Sequence, residues 1–400
     1  MNPCLPFAAN LVQSSLRSNG FSKNIVLSPL SLNAIAAMLA TGCSGRSLKR
    51  VLSFVGCDDL EQLKSMFSQM MSIATSSSSS SSPSSSACSG MSNSYRRYRG
   101  CGGSSSPPKI SFVNGVWVDS RFPLKPSYKD CVTNVFKSDA KNVDFQKADK
   151  AIKEINSWAD LQTNGLIKDV LQRGHISPVT ALILGNALYF KGYWADEFDI
   201  TRTRNQNFSL LGGDKVSVPF MGISRHYLYG SFDDFKVIEL PYKSGNIGDK
   251  KRFSMQLILP HKIDGLQDLV LKFNSGFMSP HFELERTLVD VVRIPKIKFS
   301  SVLEEIKFPF MEQDMELTEM IHARDPPFIS KIIHKAFIEV DEKGTEAAAV
   351  TFSAIEGCAP EAIQREIKTF VADHPFMFIV KEETSGLVLF VGAVVNPLPE

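Results

Sequence analysis

A strand pattern at residues 334–340 and another that resumes at Phe370 are separated by a stretch, 344–369, that shows neither a sustained helical stripe nor a clean turn. Loops of that length inside a compact domain are uncommon, and are either functional or disordered. A disordered linker is polar or rich in Gly and Ser, whereas residues 345–355 are small and β-compatible. Period-two parity sharpens the distinction. Thr345, Ala347, Ala349, Thr351, Ser353 and Ile355 fall on one side, small and uncharged until the last member, while Glu346, Ala348, Val350, Phe352 and Ala354 fall on the other. A strand slipping between two existing strands above a packed core requires this pattern, with its charge and its one bulky ring on the far face. One exposed helical turn over Glu346-Ala347-Ala348-Ala349 stays open as the resting conformation of the same residues.

The chain of 400 residues accommodates one large domain or two ordinary ones, and 43% hydrophobic content suffices for a sizeable core without staples. Lys and Arg number 44 against 42 Asp and Glu, a net charge of +2 with no long basic run, so nucleic acid is not implied as a partner. The seven cysteines, Cys4, Cys43, Cys57, Cys88, Cys101, Cys131 and Cys358, are scattered and form no Cys-x-x-Cys pair. An odd, scattered set argues against a zinc site and a disulfide framework and favours a reducing compartment. The first residues carry no basic region or long apolar core, and nowhere do 18 apolar residues run together. Neither a signal peptide nor a membrane span is therefore expected, and a cytoplasmic location is favoured. Asn207-Phe208-Ser209 is a formal glycosylation sequon, expected to be unused in that setting.

Ser28 is suited to a helix N-cap and Pro29 to the first helical position, ahead of Leu32, Ile35, Ala36 and Leu39, which makes this the first clear helix. Residues 151–170 read as a second, with Ile152, Ile155 and Trp158 on one face before Thr163-Asn164-Gly165 stops it. The run 181–190 is apolar at nearly every position, the mark of a strand covered on both faces. Strands are also expected at 110–118, 216–218, 235–240, 253–259, 289–294, 376–380 and 387–391, the last two joined across Glu383-Thr384-Ser385-Gly386. Many strands, with helices concentrated in the first third, make the fold class α+β. Residues 72–108 are low-complexity and too polar to bury, so they read as a disordered Ser-rich surface insertion. The basic-aromatic run Tyr95-Arg96-Arg97-Tyr98-Arg99 inside it reads as solvated loop, with contact to an anionic partner as the alternative.

Catalytic constellations are missing: there is no Gly-x-Ser-x-Gly elbow, no phosphate-cradling Gly loop and no His-Glu-x-x-His. Gly42-Cys43-Ser44-Gly45 and Gly222-Ile223-Ser224-Arg225-His226 lack the needed spacing, and Asp373-His374 reads as structural. An enzyme is not expected.

Gly344-Thr345-Glu346-Ala347-Ala348-Ala349, following His334-Lys335-Ala336-Phe337, resembles the hinge of the reactive-centre loop in serpins. Phe370-Val371-Ala372-Asp373-His374-Pro375-Phe376 resembles the plant branch of that family, and the match covers nearly the whole chain apart from 72–108. The resemblance implies one serpin-like domain over residues 1–400, with helices on large mixed sheets and an exposed reactive-centre loop at 344–369. Two local departures stand out: residues 1–18 supply less than the usual first helix, and 299–320 is less regular than the usual helix there.

The function implied is that of a protease inhibitor, a suicide substrate used once, without cofactor or metal, whose partner is its target protease and which is a monomer. The family also has extracellular members, which leaves that compartment as the alternative. In the family the scissile bond lies fourteen residues past the hinge glycine, which from Gly344 places it between Cys358 and Ala359. A trypsin-like pocket wants Lys or Arg, so Cys358 points to a serine protease with a small or apolar pocket, or to a papain-like cysteine protease. Arg365 lies seven residues farther on, too far for trapping. The hinge and inserting residues are Glu342, Gly344, Thr345, Glu346, Ala347, Ala348, Ala349, Thr351 and Ser353; Ser28, Ser31, Asn186, His334 and Trp194 are the implied sheet-opening cluster. The alternative is a non-inhibitory serpin that binds or stores, with Cys358 an inert loop residue.

Overall fold

A computed structural model describes residues 4–74, 108–163, 165, 170–244, 251–274, 282–303, 306–311, 315–322, 329–344 and 366–398. The chain begins with α1 (Leu5–Ser18), β1 (Ile25–Leu27), α2 (Pro29–Gly42), α3 (Gly45–Val55) and α4 (Leu60–Ala74). After the insertion come β2 (Lys109–Asp119), α5 (Pro126–Phe136), β3 (Ser138–Val143), α6 (Ala148–Gln162), β4 (Leu182–Lys191), β5 (Arg204–Ser209), β6 (Lys215–Ser231), β7 (Phe235–Pro241) and β8 (Phe253–Pro260). The remainder is α7 (Leu266–Asn274), β9 (Glu285–Pro295), β10 (Ile297–Leu303), β11 (Lys331–Val340), β12 (Thr369–Val371), β13 (Phe376–Glu382) and β14 (Val388–Val394). This is the α+β architecture expected, two mixed sheets with helices packed on them.

Two helix ends show the local signals that set them. Ser28 Oγ accepts the Ser31 N–H at 3.1 Å and Pro29 sits in the first turn of α2, whose residues are buried nearly all round. A helix apolar on every side belongs inside, and α2 lies beneath both sheets' strands. Gly56 ends α3 in the left-handed conformation, φ +68°. α1 precedes the helix expected to be first: Leu5, Ala8, Val12 and Leu16 share one buried stripe over its 14 residues.

The five-stranded sheet has the order β10-β11-β4-β2-β3 and the larger one the order β1-β14-β13-β8-β7-β6-β9-β12, with β5 beside β6. β4 pairs parallel with β11 from Ile183↔Lys331 to Tyr189↔Phe337, and antiparallel with β2. As its unbroken apolar run requires, β4 is covered on both faces. Ile183 and Ala187 pack under α6 with Ile155 and Trp158, while Leu182 and Leu184 face the helical core and Leu188 and Phe190 the core between the sheets. Trp117 meets Trp158 edge to face at 4.7 Å, and its ring lies where a Cβ on Gly115 or Gly185 would be, 2.2 and 2.7 Å away. Two glycines in mid-strand are thus the seat of one indole.

Several expected boundaries move. α4 continues through Ala74, so residues 72–74 belong to a helix and not to the Ser-rich insertion, whose residues 75–107 lie outside the described ones. α6 ends at Gln162, at the expected Thr163-Asn164-Gly165 stop but short of 170, and the stretch 299–320, where the sequence departs from the usual helix, begins with Phe299 in β10, antiparallel to β11. The expected strand at 216–218 is the start of the 17-residue β6. Among the described cysteines, Cys4, Cys43, Cys57 and Cys131 are free thiols. No described helix is long and apolar enough to cross a membrane.

Candidate functional site

Register brings three polar side chains into one row across the five-stranded sheet, because Asn114 of β2 lies opposite Asn186 of β4, and Asn186 opposite His334 of β11. All three are at most 3% exposed, on the sheet face that meets the start of α2. The Ser28 backbone N–H can only donate, and it reaches His334 Nε2 at 3.0 Å, so the ring carries its proton on Nδ1. Nδ1–H then donates to Asn186 Oδ1 (3.2 Å), Asn186 Nδ2 to Asn114 Oδ1 (2.7 Å), and Asn114 Nδ2 to the Phe136 carbonyl (2.9 Å). Every bond in this chain points the same way, an arrangement in which each polarises the next. Burial pushes His334 down to about 3 from the usual 6.5, so the imidazole is neutral.

The second cluster is the root of the long loop. β11 runs into 341–344, and there the Asp341 carboxylate accepts the N–H groups of Lys343 (2.9 Å) and Gly344 (3.2 Å) while Asp341 N–H donates to Gly344 O (2.8 Å). Gly344 adopts φ +150° and bridges to Tyr193; a Cβ there would stand 2.0 Å from Gly192 O and 2.6 Å from Tyr193 Cα, so only glycine fits. Trp194 N–H donates to Lys343 O at 2.8 Å and its indole N–H to Asp341 O at 2.9 Å, with the ring stacked on Tyr242 at 4.5 Å. Glu342 takes Lys296 Nζ at 2.9 Å and Thr203 Oγ1 at 2.8 Å. Burial raises its carboxyl, but Lys296, the backbone N–H of Glu342 itself and Thr203 together outweigh that and hold it below its ordinary value. Burial wins at Asp341, which sits above its ordinary value despite the two backbone N–H groups.

The implied sheet-opening set therefore divides. Asn186 and His334 meet at the row, but Ser28 joins through its backbone N–H, its hydroxyl being the helix cap. Ser31 Oγ is buried with no hydrogen-bond partner among the described residues. Trp194 belongs with Glu342 and Gly344 at the loop root. Thr345, Glu346, Ala347, Ala348, Ala349, Thr351, Ser353, Cys358 and Ala359 lie outside the described residues. Asn114, Lys296, Thr203 and Tyr242 were not anticipated. Only Asn114 carried a signal, an amide on the core-facing parity of an otherwise apolar strand. His374 is structural as expected, its ring nitrogens 2.8 Å from Asp373 Oδ1 and from the Pro260 carbonyl. Among the described residues no group of three or more His, Cys, Asp or Glu is placed to hold a metal ion.

Comparison with known proteins agrees with the architecture. The family model for Serpin (serine protease inhibitor) matches residues 4–397. Serpin-ZXA of Oryza sativa subsp. japonica is 36% identical over 409 residues, covering 98% of this chain and 95% of that protein. Serpin-ZX of Arabidopsis thaliana is 37% identical over 403 residues, covering 97% and 96%. Arabidopsis AtSerpin1 in its native stressed conformation superposes with a TM-score of 0.80 at 34% identity, covering 99% of both chains. With its loop root closed on Trp194 and its β11 lying directly beside β4, this chain belongs to the serpin family of protease inhibitors, among relatives from plants.

Proposed function

We propose that this serpin is a single-use protease inhibitor, cut between Cys358 and Ala359 and able to trap its target by inserting the freed loop into the five-stranded sheet. The observation that carries this reading is the parallel joint between β11 and β4. Asp341 N–H donates to Gly344 O and Gly344 bridges antiparallel to Tyr193, just past β4, so the chain has reversed by Gly344; a strand formed by the residues that follow would run antiparallel to β11 and, since β4 is parallel to β11, antiparallel to β4 as well. Its entry exchanges one parallel ladder, running from Lys331↔Ile183 to Phe337↔Tyr189, for two antiparallel ones. A net gain of about five to ten hydrogen bonds, at about 1 kcal/mol each, gives a driving term on the order of 5–10 kcal/mol. The small, uncharged parity of Thr345, Ala347, Ala349, Thr351 and Ser353 suits the buried side of such a strand. Entry must break the His334–Asn186 bond, which crosses that same joint and holds the uncut sheet closed.

The chemistry is the protease's own. Its nucleophile attacks the Cys358 carbonyl, the Cys358–Ala359 peptide bond breaks, the amine of Ala359 leaves with the nucleophile's proton, and an acyl-enzyme forms. Insertion then drags the protease away and distorts its site before water can deacylate it. Cys358 suits a serine protease with a small or apolar pocket, with a papain-like enzyme as the alternative target.

Mixing the protein with a panel of elastase-, chymotrypsin-, papain- and trypsin-like enzymes tests this. An SDS-resistant adduct with at least one of the first three, little with trypsin, and a released C-terminal peptide that begins at Ala359 by mass spectrometry are expected. A peptide beginning at Glu366 would refute the placement of the bond. Degradation by every enzyme without any adduct would leave the protein a binding or storage serpin.

A further inference from the structure

One strip of surface joins the two roots of the long loop. At the first root Thr203 Oγ1 donates to Glu342 Oε1 at 2.8 Å, and Thr203 stands between Arg202, the last residue of a short 3-10 turn (Ile200–Arg202), and Arg204, the first of β5. At the second root the chain re-enters as β12, whose Val371 lies opposite Arg293 of β9. Arg293 in turn lies opposite Gly222 of β6, and Arg202 closes on that glycine, its Cβ 3.8 Å from where a Cβ would stand. Register therefore lays Val371, Arg293, Gly222 and Arg202 in one row, with no side chain at Gly222 to part the two arginines.

The acidic groups of these elements are spent elsewhere. Glu342 takes Lys296 Nζ and Thr203, Asp290 accepts the Lys368 N–H at 3.0 Å, and Asp373 lies 2.8 Å from His374. Asp199 accepts the N–H and hydroxyl of Thr201 and reaches Arg202 only at 3.8 Å. The other charges of β6 and β9, Lys215, Arg225, His226, Glu285 and Arg286, stand three or more positions along their strands from the row, and Glu366 stands five before Val371. Arg293 is exposed and has no acidic partner among the described residues, so the row presents two guanidinium groups against one loosely held carboxylate. Two large apolar side chains flank it in solvent, Ile200 at 52% exposed and Ile367, two residues before β12, at 69%. Arginine beside exposed apolar side chains is the composition of a protein interface.

We infer that this row is a second contact surface for the target protease, and that it favours an enzyme with acidic side chains beside its cleft, on the side that takes the residues after the cut bond. The inference rests on the loop being attacked as proposed above. The loop supplies the continuity: Ala359 is eight residues, at most about 27 Å, from Ile367, and a protease of about 220 residues has a radius of gyration of about 17 Å, so an enzyme holding that bond reaches the row. Insertion then carries the enzyme away from it. The row therefore acts on how fast the protease docks and not on how well it is trapped, the behaviour of charges at the rim of an interface.

Rates of adduct formation for full-length wild type, Arg202→Gln, Arg293→Gln and the double variant, with each enzyme that the wild type traps, at about 0.05 M and about 0.5 M salt, test this. With an enzyme of net negative charge the double variant is expected to dock about tenfold more slowly at low salt and nearly as fast as wild type at high salt; with one of net positive charge the change reverses sign. The number of inhibitor molecules cut per adduct and the melting temperature are expected to stay as in wild type, because both side chains are exposed and neither enters the sheet. Cleavage of a synthetic peptide of residues 353–364, which carries the bond without the row, is expected to depend less on salt than docking of the whole protein. Unchanged docking rates for the double variant with every trapped enzyme overturn the inference and leave the inhibitory reading standing. A slowing that salt does not relieve, or one accompanied by more cleavage per adduct, overturns it as well, since it places the arginines in insertion and not in docking. Absence of any adduct with wild type removes the inhibitory reading, and this inference with it.

Discussion

Lowering the pH from neutrality asks the buried imidazole of His334 to accept a proton that its surroundings refuse. Its Nε2 lone pair already holds the Ser28 N–H at 3.0 Å, and a second proton there would set donor against donor. Burial pushes the folded-state value down to about 3, against 6.5 for an ordinary histidine. The neutral form is the one the fold stabilises, so its contribution is complete above pH 6.5, begins to fall as the pH drops through 6.5, and is lost by the time the pH reaches about 3. Between those limits the loss is about 1.4 kcal/mol per pH unit, hence about 3 kcal/mol at pH 4.5. For a chain of 400 residues this is roughly 4 °C in melting temperature.

Carboxylates titrate over the same range, so the measurement is a difference. His334→Gln keeps an acceptor for Ser28 and a donor for Asn186 but cannot titrate. Melting at one scan rate at pH 7 and pH 4.5 is expected to show wild type losing roughly 4 °C more than His334→Gln. A difference between the two proteins that stays constant over that range would falsify the assignment of a neutral, hydrogen-bonded His334 to the closed sheet.

Three further outcomes are expected. Thr345→Arg puts an unpaired charge on the inward parity at a cost of several kcal/mol during insertion, so the protein becomes a substrate rather than an inhibitor, whereas Glu346→Arg inhibits almost normally. If both variants behave alike in the gel assay, the loop does not enter as an alternating strand. Gly344→Ala drives a Cβ into Gly192 O and opens the root, giving up the two Trp194 hydrogen bonds for about 2 kcal/mol of stability. Unchanged Trp194 emission and an unchanged denaturation midpoint would count against it. Deleting residues 76–106 leaves the melting temperature and inhibition rate nearly as they were, because the composition gives that segment no reason to pack; a large loss of either would show that it does.

Features that depend on a few neighbouring residues were legible in the amino-acid sequence alone. The Ser28-Pro29 helix start and the doubly covered strand at 181–190 are local patterns, set by backbone geometry and by which faces are buried. The short helices of the first third were harder to read, α1 included, because a stripe of four apolar residues is a weak periodic signal until a core stands beside it. The candidate site belongs to the tertiary structure. Asn114 and Asn186 are 72 residues apart and Asn186 and His334 148 apart, and each pair meets only because the strands adopt one register; a shift of one residue would turn every amide to the other face. The same holds where Lys296 finds Glu342 across 46 residues, and where Trp194 proves to guard the loop root rather than the row beneath α2. Register is set by the summed packing of whole strands, and no local stretch of sequence contains that sum.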